Sequence, residues 1–269
     1  MPATDLSLLV KAAEQAGDIA CRFSGPAAKR WDKPGGAGPV TEADLEVNAM
    51  LEDLLQRARP GYGWLSEESE DNDARLLREK VFIIDPIDGT RSFAEGSRTW
   101  AHSIAVAEHG EVTAAVIYLP QRELMYTAAK GQGADCNGGP IHVSRATDLS
   151  RTEVLAAKPN LQAHHWLGGS PPAFICSYRP SLAYRLAKVA DGRFGAMLTL
   201  RPSWEWDIAA GDLLIREAGG ILTDRAGRPL RFNNPHPHLN GVIAGNSALQ
   251  ASLLAALDPI GPGTAGHLT

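Results

Sequence analysis

Residues 81–93 read VFIIDPIDGTRSF, and no other stretch limits the fold as much. Val81, Phe82, Ile83 and Ile84 form an apolar run short enough for a strand buried on both faces, so Asp85 leaves the core at a fixed point. Pro86 stiffens the next step, and Asp88 points back near Asp85. Two ionised carboxylates at short range repel unless a cation lies between them. Hard divalent ions such as magnesium take carboxylate and carbonyl oxygens, which an Asp-Pro-Ile-Asp turn presents, the carbonyl of Ile87 included. Gly89 and Thr90 then open a helix whose first amides suit phosphate oxygens. The plainer alternative is a capped turn after a core strand.

Two carboxylates alone hold magnesium weakly, so other segments must contribute. GWLSEESEDND places Glu67 and Glu68 at the end of a second predicted strand, with Glu70 to Asp73 reading as a solvated acidic loop. WEWDIAAGDLLIREAGG places Asp207 in the first turn of a predicted helix, where a favourable dipole contact is the alternative reading, and its small Ala209, Ala210 and Gly211 allow close packing. PVTEADLEV sets Thr41 three residues before Asp44, which by itself is only a capping box with Asp in place of Glu.

The surrounding pattern predicts helices over residues 6–23 and 42–59, each with one apolar face. WDKPGGAGP between them reads as a Gly/Pro loop outside regular structure. An antiparallel meander follows Asp88, turning at His109 and Gly110, and from about residue 141 a smaller mixed α/β unit contains a helix from Ser181 to Asp191. We expect one unit over 1–140 that carries most of the acidic ligands and a second over 141–269 that supplies Asp207 and substrate-side residues. The tail GPGTAGHLT reads as frayed.

Charge and cysteine content exclude several classes. The 269 residues carry 26 Lys plus Arg against 31 Asp plus Glu, net −5, with no basic stripe interleaved by aromatics, which argues against nucleic acid as a partner. Cys21, Cys136 and Cys176 are widely spaced and odd in number, which fits a reducing compartment. An N-terminus that meets acids early and the lack of a long apolar run predict a cytoplasmic protein without membrane contact. His164, His165, His236 and His238 read as surface-loop residues, and Trp204 and Trp206 as packing residues around the Asp207 segment, with a place for one of them on the substrate side as the alternative.

Taken together, V-T-x-x-D, S-E-E, D-P-I-D-G-T and W-D-x-A-A-G followed by E-A-G-G resemble, in order and spacing, the inositol monophosphatase superfamily of magnesium-dependent, lithium-sensitive phosphatases. The likeness runs from about Lys33 to Gly245. It implies an α/β fold layered αβαβα, a homodimer, a small phosphorylated metabolite as substrate, and two or three Mg2+ ions. It further implies one ion on Glu67, Asp85 and the Ile87 carbonyl, and another on Asp85, Asp88 and Asp207, with the amides of Gly89 and Thr90 on the phosphate. Glu67 and Thr90 would orient a metal-activated water, Asp44 would support Thr90, and Lys33 falls where the family has a lysine near a third ion.

For the substrate, true inositol monophosphatases carry a glutamate seven residues before the W-D aspartate, where this chain has Leu200. PSWEWDIAAGD, PSLAYRLAKVADG and RPLRFNNPHPHLNGVIAG resemble segments of the 3'(2'),5'-bisphosphate nucleotidases instead, which implies hydrolysis of adenosine 3',5'-bisphosphate to AMP and phosphate. The Y-P-R of that subgroup is replaced by Met197-Leu198-Thr199, and its G-S by Arg179-Pro180. KGQGADCNGGPI is as similar to inositol monophosphatases, and DGTRSF to histidinol-phosphate phosphatases. Two readings from other classes are a haloacid-dehalogenase-type phosphatase, whose acids stand two apart where Asp85 and Asp88 stand three apart, and a non-catalytic phosphate-binding or regulatory protein.

Overall fold

The computed structural model describes residues 4–23, 28–36 and 38–258; the tail from residue 261 lies outside them. Helix α1 (Asp5–Phe23) puts Leu9, Ala12, Ala13, Ala16 and Ala20 on one fully buried stripe, and α2 (Glu42–Ala58) does the same with Ala43, Val47, Leu51 and Leu55. Thr41 and Asp44 form the capping box at the start of α2. The segment expected to lack regular structure is instead a hairpin. Strand β1 (Arg30–Asp32) pairs antiparallel with β2 (Pro39–Thr41), because Gly35 (φ 71) and Gly38 (φ 100) turn the chain back where residues with a Cβ would be strained.

Both helices cover one face of a sheet ordered β3 (Gly63–Ser66), β4 (Lys80–Asp88), β5 (Ala101–Glu108), β6 (Glu111–Leu119), β7 (Leu124–Ala129), β8 (Ala134–Cys136) and β9 (Gly139–Pro140). Strand β3 runs parallel to β4, and every later pair is antiparallel, as the meander predicted. His109 (φ 50) and Gly110 (φ 81) make the β5–β6 turn. Strand β4 does not stop at Asp85. It continues to Asp88 through a bulge, Asp85 facing Ser103 while Asp88 faces Ala101, so the chain carries one residue more than its partner. Pro86, which has no N–H to give the ladder, sits within that bulge. The extra residue turns both aspartates toward one spot.

The second half adds β10 (Glu153–Ala156), β11 (Ile175–Ser177), β12 (Ala196–Thr199), the short pair formed by β13 (Ser203–Trp204) and β15 (His238–Leu239), and β14 (Ile221–Thr223) and β16 (Val242–Gly245). Its main sheet has the order β11-β10-β12-β16-β14. Helices α4 (Leu182–Ala190) and α5 (Ala209–Glu217) lie between the two sheets in one continuous apolar core, and α6 (Ser247–Ala256) covers the outer face of the second sheet. The layers therefore run α, β, α, β, α. At Gly211 a Cβ would stand 2.6 Å from Leu186 Cβ, so the close approach of α5 to α4 needs the glycine that the sequence placed there. No helix among the described residues is long and apolar enough to cross a membrane.

Candidate metal centre

Strand β4 delivers Asp85 and Asp88, and the segment before α5 delivers Asp207. One carboxylate oxygen from each lies within 4.8 Å of the other two. Asp207 stands before the helix rather than in its first turn: α5 begins at Ala209, and the amides of Ile208 and Ala209 bond back to the Glu205 carbonyl. The turn so formed points Asp207 at β4. It keeps a partly open edge although protein atoms surround it.

Each acid has a different support. Asp88 Oδ2 accepts from Ser181 Oγ and from the Ala183 amide, both at 2.5 Å, so the N-terminus of α4 holds it. Asp85 is 1% exposed, and its Oδ1 is buried without a hydrogen-bond partner. His102, fully buried and beside Pro86, gives its Nδ1–H to the Pro86 carbonyl; burial pushes its pKa down to about 4, against the pull of that bond, so it fixes the bulge as a neutral ring. Burial first, then the charges of Glu67, Asp88 and Asp207, pushes Asp85 well above the usual carboxylate range. Burial and the charges of Asp88 and Glu67 do the same to Asp207 against a pull from Arg201. Burial also raises Asp88, and its bonds to Ser181 and Ala183 oppose it. A buried orphan oxygen among three mutually repelling oxygen donors fits a hard divalent cation in both charge and ligand type.

Glu67, one residue past β3, faces the same centre, and Lys33 at the end of β1 reaches it. Lys33 Nζ is 2.8 Å from Glu67 Oε1 and 2.6 Å from Glu68 Oε1, the second contact close but poorly aligned for a hydrogen bond. Burial pulls the Lys33 ammonium down, and the two glutamates outweigh it, so its pKa is raised. An ammonium thus stands where a cation at Glu67 would compete with it. Replacing Lys33 by Gln removes that competitor, and magnesium titration by calorimetry is expected to show about fivefold tighter binding, the equivalent of ~1 kcal/mol for one partly buried ion pair. Unchanged or weaker binding contradicts this.

Thr90 Oγ1 lies 3.1 Å from both Asp44 Oδ1 and the Ile87 carbonyl. Asp44 Oδ2 accepts from the Thr41 amide at 2.8 Å and from Thr41 Oγ1 at 2.5 Å. Asp44 is therefore both a helix cap and the support of Thr90. Burial pushes it to about 6, the bonds from Thr41 opposing. Burial and Glu67 push Glu68 to about 7 against Lys33. Both folded values lie above the ordinary ones of 3.8 and 4.5, so the folded chain binds more protons than the unfolded chain between them. Their contribution to stability is complete below about pH 4 and is lost as the pH rises through 6 and 7. The urea midpoint of protein in EDTA is expected to fall between pH 5 and pH 8 and to recover with magnesium at pH 8; a midpoint in EDTA that rises with pH contradicts this.

Gly89 precedes α3 (Thr90–Ala94) at φ 98, a conformation reserved for glycine, and no side chain caps that helix. Leu200 is 3% exposed and packs into the apolar cluster with Leu198 and Ile243, so its position offers no carboxylate. His164 and His165 lie ring against ring, tilted, with centroids 4.0 Å apart, and belong to neither of the acidic groups among the described residues that could hold a metal. Trp204 stacks on Trp206 at 4.5 Å; Trp206 is buried, whereas Trp204 is 40% exposed, and both line a cleft that Glu67 shares. Sequence reading missed Ser181 as the support of Asp88, although Ser181 is legible as a helix cap, and it missed His102. It also took Glu205 only as part of a motif. Glu205 is fully buried and accepts from the amides of Asn233 and Asn234 at 2.6 and 2.9 Å and from Asn234 Nδ2 at 2.6 Å. Arg75 reaches the same two residues from the acidic loop, bonding to Asn233 Oδ1 and the Asn234 carbonyl.

The model of the inositol monophosphatase family matches residues 2–261. An inositol-1-monophosphatase of Mesorhizobium japonicum is 35% identical, over 94% of this chain and 95% of its own. Nus factor SuhB of Escherichia coli is 34% identical over 93% and 94%. Among solved structures, the inositol monophosphatase TM1415 of Thermotoga maritima superposes with a TM-score of 0.80 at 27% identity, covering 93% of this chain and 95% of that one. The suhB protein of Bartonella henselae gives 0.76 at 31%, over 93% and 96%. With the five layers and the convergent acids in place, the match over almost the full length means that this chain belongs to the inositol monophosphatase family.

Proposed function

We propose that the protein hydrolyses phosphate monoesters with magnesium held by Glu67, Asp85 and the Ile87 carbonyl, and by Asp85, Asp88 and Asp207. The observation that carries this reading is the buried meeting of Asp85, Asp88 and Asp207 around an oxygen with no partner. Bound there, the metal supplies Lewis-acid polarisation of the phosphate and a lower pKa for water. The chain's own groups do the rest. Thr90 Oγ1 turns its proton to Asp44, which leaves its lone pairs to accept from an attacking water, and Glu67 accepts from the same water and aims it in line with the leaving oxygen. The amides of Gly89 and Thr90 hold the phosphate.

Within that chemistry we favour adenosine 3',5'-bisphosphate. Leu200 gives no carboxylate to a sugar hydroxyl, and the guanidiniums of Arg185 and Arg201 act electrostatically on the Asp88 and Asp207 side, which suits a second anionic group on the substrate. Glu205, which lies in the PSWEWDIAAGD segment that resembles the nucleotidases, does not support this choice because its carboxylate is spent on Asn233 and Asn234. Relatives named inositol-1-monophosphatase favour a second reading, inositol 1-phosphate. A homodimer belongs to this account, and sedimentation tests it. Rates measured side by side on adenosine 3',5'-bisphosphate, inositol 1-phosphate, histidinol phosphate and fructose 1,6-bisphosphate decide the substrate: the first is expected to turn over fastest, and a preference for inositol 1-phosphate overturns the assignment.

A further inference from the structure

Further along α4 from Ser181 lies a cleft of about 570 Å³ whose walls carry Arg122, Arg179, Lys188 and Arg193. Its floor is neutral. Lys188, 9% exposed, pairs with Asp191, and the buried Tyr126 hydroxyl donates to Asp191 Oδ2 at 2.9 Å. The rim is different, because no described carboxylate forms an ion pair with Arg122, Arg179 or Arg193. Two of these guanidiniums are held by aromatic rings: Arg122 lies over Tyr184, 5.4 Å from the ring centroid, and Arg179 over Phe194 at 5.3 Å. Among the described residues their side chains bond to backbone carbonyls, from Arg122 Nε to Arg98 and from Arg179 Nη1 to Tyr178. Three unneutralised guanidiniums around one concave space are unexpected on a chain of net charge −5.

Guanidinium groups present paired N–H donors that match phosphate oxygens, and a rim of three such groups exceeds what a single carboxylate satisfies. We propose that this cleft is an anion site, separate from the acidic centre, for a small molecule carrying two or more phosphate groups. The two sites share one helix and opposite demands. Ser181 at the start of α4 holds Asp88, while Tyr184 and Lys188 further along line the cleft. The acidic centre repels a phosphate until a cation is present, and the cleft needs no cation.

Chelation therefore separates them. Calorimetry with sodium pyrophosphate in EDTA is expected to show one binding event per chain. Arg122→Glu with Arg193→Glu, both at exposed positions, weakens it at least tenfold, Arg193→Gln alone weakens it about threefold, and Asp88→Asn leaves it unchanged. No binding by the unaltered chain overturns the proposal, as does equal binding by the double reversal, or loss of binding on Asp88→Asn. Sedimentation of the same samples gives the remaining outcome: a double reversal that changes the oligomeric state and leaves pyrophosphate binding intact assigns the arginines to contact between copies, and the anion site falls.

Discussion

Asp85→Asn is expected to lower phosphate release by about 1000-fold, and in EDTA to make the protein more stable rather than less. The first effect follows from the place of Asp85 in both proposed ion sites: polarisation by a bound metal supplies several kcal/mol to the transition state, and each 1.36 kcal/mol is tenfold in rate. The second follows from burial. Without a cation, Asp85 sits almost fully enclosed beside Asp88, Asp207 and Glu67, and its Oδ1 has no donor. A neutral amide of the same shape relieves that repulsion and brings two N–H donors to the neighbouring carboxylates. Thermal unfolding with and without magnesium separates the effects, since the variant should melt higher than the parent in EDTA and gain far less from magnesium. Activity within tenfold of the parent contradicts the assignment of Asp85.

Glu205→Ala is expected to cost about 3 kcal/mol or more of stability with no metal ligand touched. Three donors from the half-buried Asn233 and Asn234 lose an acceptor that is itself fully buried, and each polar group left unsatisfied away from water costs about 1–3 kcal/mol. The damage spreads along the chain. Asn233 and Asn234 also hold Arg75, whose other partner, Asp71, belongs to the acidic loop that follows Glu67. A melting temperature lowered by about 6 °C or more is expected, at ~2–4 °C per kcal/mol for a chain of this size. A shift below about 2 °C contradicts a pillar role for Glu205.

The acidic centre was legible because each of its parts announces itself locally. Asp85 and Asp88 share one turn, Glu67 follows its own strand, and Asp207 sits beside the small residues that let α5 approach α4. The layered architecture was legible for a related reason: the apolar stripes on α1 and α2 and the short apolar runs of β5 to β7, separated by turns, are signals within single elements. The supports were not, because they depend on residues brought together only by the fold. Ser181 lies 93 residues from the aspartate that it holds, and nothing in a helix cap states which neighbour its hydroxyl will meet. Glu205 drew attention through a motif, whereas its role is set by a loop nearly thirty residues further on. The hairpin around Lys33 was hidden by its own glycines, which argue against a strand at the residues that they occupy and permit one on either side.

The most direct test of the account is phosphate release from adenosine 3',5'-bisphosphate by protein stripped with EDTA, dialysed, and titrated with magnesium. The account predicts no turnover in the stripped protein and a rise with added magnesium that Asp85→Asn does not show. Full turnover by the stripped protein, before any divalent ion is returned, would contradict it.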